Sequence, residues 1–195
     1  IREVKMNSTR EHFCAGSNIT PAQLSQHLDH RQPTSWHEQL SRLQDAWSVL
    51  YLHAERMRDL VTQQYRGFAV GCAVWAFHQD PATLERRWRV FGGMNTKVSA
   101  KSRPVCAEPI AINSAYAAGY SEIVGMVIVG ESQEDHHSGR RSLTLHPCHE
   151  CRQIMITHLI VKLRTRIMTA HSPSQPGGMC ELYTLRRILH IHGEI

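Results

Sequence analysis

Residues 103–120 read RPVCAEPIAINSAYAAGY, and residues 144–155 read TLHPCHECRQIM. In both, a cysteine stands at the entry to a helical stretch. Cys148 and Cys151 are three apart, so both sulfurs can meet one ion from the first turn of a helix. Exposed N–H groups at that end favour the ionised thiol, and Pro147 is compatible with helix entry. Two ligands leave a zinc ion short, since a catalytic zinc normally has three protein ligands and one open position. Cys106 is the expected third donor because it also directly precedes a helix. Glu108 falls at the same helix end, where it reaches the site without coordinating.

Outward from these motifs the pattern alternates. EIVGMVIVG (122–130) is near-continuously apolar and β-branched, as expected of a central strand covered on both faces. GFAVGCAVWAF (67–77) reads as another buried strand, with WRVFGG (88–93) as its hairpin partner. From Trp36 the apolar positions Leu40, Leu43, Trp47, Leu50, Ala54, Met57 and Val61 follow alternately four and three apart, the buried stripe of an amphipathic helix. SLTLH (142–146) and TRIMTA (165–170) are predicted strands, CHECRQIMITHLI and TLRRILHIH predicted helices, and ESQEDHHSGRR and HSPSQPGG loops. A shorter helix is expected between a Thr20–Pro21 start and Pro33. The sum is a three-layer α/β/α sandwich with a mixed central sheet. Residues 1–35 are expected to be an N-terminal extension and 36–195 one domain. The four tryptophans fall on core-facing positions, and His136 and His137 lie in a solvated loop.

C-A-E, and later P-C-x-x-C, is the pattern of zinc enzymes that remove an amino group from a nucleobase, with the Glu as proton carrier. Each piece has a plainer reading by itself. The CxxC could be a redox pair, or part of a closed structural zinc site completed by Cys180 or a nearby His; Cys106 could be a core thiol and Glu108 a surface residue. Their joint occurrence, each before its own helix with an apolar strand between, puts the catalytic reading first.

On these motifs the chain resembles the cytidine deaminase-like superfamily, in particular its free-nucleoside cytidine deaminases and blasticidin S deaminase, over roughly residues 45–190. YRGFAVGCAV looks like the family's Y-S-x-F-x-V-G-A-A, VCAEPIAI like C-A-E-R-x-A-I, and PCHECRQIM like P-C-G-x-C-R-Q-V. The resemblance implies a Zn2+ cofactor held by Cys106, Cys148 and Cys151, with Glu108 catalytic. It also implies that the Ala107 backbone meets the base, that Phe68 shapes the pocket, and that the enzyme is a homodimer or homotetramer. The chain departs from the family at three places, one of them His149 where P-C-G-x-C has its Gly. Asn95 keeps the Asn of G-x-N-V-E-N, which the resemblance makes a ribose contact, but Lys97 stands where the ribose-binding Glu belongs, and an ammonium cannot accept a hydroxyl's hydrogen bond. Pro109 replaces the Arg after C-A-E, leaving Arg152 to carry more of the charge balance. Lys97 therefore points to an anionic group on the substrate.

The net charge of +5 and pI near 9.0 suit an anionic partner, but the basic residues are scattered and form no arm or aromatic-lined path. Long nucleic acid is not expected as substrate, although a polynucleotide-editing deaminase of the same fold is the first alternative. A non-enzymatic zinc-stabilised interaction protein is the second. No run of apolar residues is long enough for a membrane helix, and the opening, IREVKMNSTREHF, lacks the apolar core of a secretory leader. Six cysteines with only one tight pair fit a reducing, cytoplasmic setting. The expectation is a zinc-dependent aminohydrolase for a small aminated heterocycle.

Overall fold

The computed structural model describes residues 36–61, 68–96, 103–171 and 179–195, with side chains in the first helix from Ala46 onward. The elements are α1 (Trp36–Asp59), β1 (Gly71–Gln79), β2 (Arg86–Met94), α2 (Ala107–Ala117), β3 (Glu122–Val129), α3 (His149–Thr157), β4 (Arg166–Ala170), β5 (Cys180–Thr184) and α4 (Leu185–Ile191). The five strands form one sheet in the order β2-β1-β3-β4-β5. Only β3 and β4 pair in parallel; the other neighbours are antiparallel. β3 is therefore central and mixed in its pairing, as its apolar run requires. Its register with β1 shifts between Trp75 and Ala76.

Two cores lie on opposite faces of the sheet. Cys72, Val74 and Ala76 of β1 face Ala111 and Ile112 of α2, Met155 of α3 and Leu189 of α4. Ala73 and Trp75 face the other way, towards Trp47, Leu50 and Ala54 of α1. Alternate residues of one strand thus bind two helical layers, and the expected sandwich is observed. Gly71 lets α1 approach: a Cβ there would fall on the Ala54 carbonyl and 2.5 Å from the Arg58 nitrogen.

Two expectations need correction. Residues 142–146 do not form a strand; the only bridge nearby pairs Glu134 with Arg141. The Glu181 carboxylate takes both the Thr144 N–H (2.9 Å) and its hydroxyl (2.6 Å), so that backbone is tied to a side chain instead of a ladder. Beside β4, on the side away from β3, lies β5, Cys180–Thr184, partly in a stretch for which no element was expected. The Thr20–Pro33 helix and the boundary of the extension at residue 35 lie outside the described residues.

Candidate active site

Parallel β3 and β4 end on the same side of the sheet, and each of the two motif helices starts there. Cys106 is the N-cap of α2 and Cys148 the N-cap of α3, both with extended backbone and neither with a side-chain cap bond. Their sulfurs are free to turn inwards. Cys151, in the first turn of α3, is buried beside them. All three sulfurs lie within 4.8 Å of one another, with Cys106 and Cys148 3.8 Å apart. Two thiolates bound at about 2.3 Å to a tetrahedral zinc sit about 3.8 Å apart, so the donor set fits that ion in number, type and spacing. Cys180 lies exposed on β5 outside this group, which removes the closed four-cysteine alternative.

Thiols this close cannot all ionise unaided. Hydrogen bonds from Cys106 and Cys151 hold Cys148 far below an ordinary thiol, while the bond with Cys148 pushes Cys106 up and bonds with Cys106 and then Cys148 push Cys151 up. A divalent cation relieves that conflict. Glu108 occupies the second position of α2 and is 5% exposed. Burial pushes its carboxyl up to about 7, with Cys148 adding to the rise. A buried carboxyl near neutrality is suited to taking and returning a proton.

Against known families, residues 43–166 match the model of the cytidine and deoxycytidylate deaminase zinc-binding region, more than half of the chain. The chain belongs to this family. Zinc is its cofactor and deamination its chemistry. Among solved structures, the chain is similar to cytidine deaminase from Burkholderia pseudomallei, with 26% identity and a TM-score of 0.52 over 71% of this chain and 92% of that one. It shares the fold of a cytidine deaminase mutant from Mycobacterium tuberculosis, with 22% identity and a TM-score of 0.50 over 73% and 90% of the two chains.

Within this deaminase frame, Ala107 is fully buried at the first position of α2, and Phe68 is half-buried against the core. Asn95 at the end of β2 is used internally. Its Oδ1 accepts from the Val70 N–H at 2.7 Å and its Nδ2 donates to the Phe68 carbonyl at 2.9 Å. It thus fixes the segment that carries Phe68. Lys97 lies outside the described residues. A cavity of about 350 Å³ opens beside Cys148, but His137, His146, His149 and Arg140 wall it, and Glu108 does not. Arg152 is fully buried, and its guanidinium is bound by Asp135 (2.7 Å) and Glu194 (2.6 Å). Its charge is therefore shared with two carboxylates, not left for the thiolates alone. Glu194, Asp135 and Glu181 were not singled out from sequence, and no local motif marks them.

Gly93 on β2 sets the seat of α2. A Cβ there would fall on the Ala107 carbonyl and 2.7 Å from the Ala111 nitrogen. Gly93→Ala is expected to lift the first turn of α2, costing ~1–3 kcal/mol as overpacking does, and to lower turnover because Cys106 and Glu108 ride on that turn. Thermal unfolding and turnover measured together check this; an unchanged Tm contradicts it.

The network behind α3 also makes stability depend on pH. Burial raises the Glu181 carboxyl, but the nearby His146, with Nε2 3.5 Å away, and hydrogen bonds from Thr144 outweigh it and hold Glu181 at about 2, below its usual 4.5. Its stabilisation is complete above about pH 4.5 and lost as pH falls towards 2. Burial, helped by Arg152, holds His192 at about 4 instead of 6.5, so the folded state refuses a proton that the unfolded chain accepts. Stability should therefore decline from about pH 6.5 to 4 through His192, then further to pH 2 through Glu181. Glu181→Gln should be less stable at pH 7 and flatter between pH 4.5 and 2. Parallel stability curves for the two proteins would contradict the assignment.

Proposed function

We propose that Cys106, Cys148 and Cys151 hold one zinc ion and that Glu108 carries the protons in hydrolytic deamination of a small, cytidine-like aminated heterocycle. The observation that supports this best is a buried carboxylate two residues from one of three sulfurs that share one zinc-sized cluster. Bound zinc supplies acidification of a water, bringing it near neutral pKa. Glu108 takes that water's proton as the oxygen bonds to the amino-bearing ring carbon. It delivers that proton to the adjacent ring nitrogen, then takes the second proton from the new hydroxyl and gives it to the departing amine, so water enters and ammonia leaves. The Ala107 backbone meets the amide edge of the base, Phe68 shapes the pocket, and Asn95, which also holds the Phe68 backbone, contacts the ribose. The decisive test is ammonia release from cytidine, deoxycytidine, their monophosphates and blasticidin-like compounds. Turnover confined to single-stranded oligonucleotides would move the protein to the polynucleotide class, and none from any substrate would sink the enzyme reading.

Lys97 supports a preference for an anionic ligand, since a charge-assisted bond contributes about 1.5–3 kcal/mol. Lys97→Glu is expected to lower kcat/KM for the charged member of a substrate pair at least tenfold and to narrow the gap with plain cytidine. An unchanged charged-to-uncharged ratio would place Lys97 outside the pocket. The five cysteines among the described residues are all free of disulfides, and three of them form the proposed metal cluster, which supports a reducing cytoplasmic setting. A homodimer or homotetramer follows from the family resemblance and is read by native mass spectrometry. Among the described residues no helix is long and apolar enough to cross a membrane.

A further inference from the structure

Glu194 stands three residues beyond α4, placed by Gly193 with φ +72° and by its own N–H, which donates to the Leu189 carbonyl at 3.0 Å. Its side chain is 6% exposed. Oε1 accepts from Arg152 Nε at 2.6 Å and meets His149 Nδ1 at 3.1 Å, while Oε2 accepts from Gln153 Nε2 at 3.0 Å. A carboxylate only accepts, so His149 carries its proton on Nδ1. His149 and Arg152 are the residues that directly follow Cys148 and Cys151. One oxygen atom therefore holds both ligand positions of α3. Arg152 extends the hold by donating through Nη1 to the Pro147 carbonyl at 2.7 Å, just ahead of Cys148, and to Asp135. This matters because the Cys148 side chain makes no capping bond to its own helix, so the first turn lacks its usual internal restraint.

We propose that Glu194 is a positioning residue of the zinc centre, keeping Cys148 and Cys151 at ligating distance through His149 and Arg152. The inference rests on the reading that these cysteines bind zinc. In its absence the first turn of α3 is expected to fray, and the two sulfurs to separate on the way to releasing the metal.

The test uses the full zinc-loaded chain and follows the rate of zinc release into excess colorimetric chelator, alongside the visible spectrum of the cobalt-substituted protein. Glu194→Ala should release zinc at least tenfold faster and shift the tetrahedral cobalt bands. Glu194→Gln keeps an oxygen for Arg152 and His149, and should stay within threefold of wild type. Ile188→Val, a core trim in α4, should leave both readouts unchanged. If Glu194→Ala does not fold, Glu194→Asp, one methylene too short to span both partners, should speed release at least threefold. Wild-type release and spectrum in Glu194→Ala, or in Glu194→Asp if that variant replaces it, overturn the proposal, as does equal acceleration by Ile188→Val. Wild type holding no zinc would remove the ligand reading itself, whereas wild type with one zinc and an indifferent Glu194 removes only this inference.

Discussion

Glu108→Gln is expected to keep one zinc per chain and the wild-type fold while lowering kcat by ~10²–10⁴-fold, the usual contribution of a general acid–base group. Glutamine matches glutamate in shape and still hydrogen-bonds, so the first turn of α2 and its fully buried Ala107 have no reason to move. The amide cannot accept a proton from water or return one to the ring and the amine. Because the same carboxylate is used for successive transfers, the loss belongs at the upper end of that range. The measurement is kcat on the best substrate, with zinc content on the same sample. A variant within tenfold of wild type would remove Glu108 from the mechanism and favour a structural role for the metal.

Cys148→Ala should lower zinc from one per chain to a small fraction and abolish turnover with it. Cys148 is the sulfur on which hydrogen bonds from the other two converge, and two remaining thiols make a poor site for an ion that needs three protein ligands. Metal binding also contributes folding free energy, so this variant should melt well below the zinc-loaded wild type, near the chelator-treated protein. Cys180→Ala, on exposed β5, is the matched control and should keep its zinc. Full zinc content in Cys148→Ala, or loss in Cys180→Ala, would redraw the ligand set.

The parts of this protein that were readable from sequence are those written in short-range pattern. The unbroken apolar run of β3 marked a central strand, the stripe of α1 marked a buried helical face, and C-A-E with P-C-x-x-C gathered three sulfurs from two helices. Residues 142–146 misled because Leu143 and Leu145 flank Thr144 with the alternation of a strand. What overrides that pattern is one carboxylate, Glu181, lying 37 residues downstream. β5 was missed for the complementary reason: it is five residues at the sheet's edge, with only every second side chain half-buried. Glu194 was illegible because its partners are 41 to 45 residues away and no spacing rule connects them. Asn95 is a ribose contact by resemblance, and no local pattern showed that its amide also bonds the backbone of Phe68 and Val70.

Cys106 and Cys148 occupy helix-start positions that serine, threonine or aspartate would ordinarily fill. Both helices therefore begin life without a cap, and each missing cap costs about 0.5–2 kcal/mol. A newly made chain that has not met zinc carries two helix starts without a side-chain cap where the sulfurs gather, that of α3 held by the Glu194 network alone. In a cell short of the metal, quality-control proteases would find those ends first, since they act on locally opened states. The amount of this protein should then follow zinc supply even at constant synthesis, making its abundance a record of metal availability.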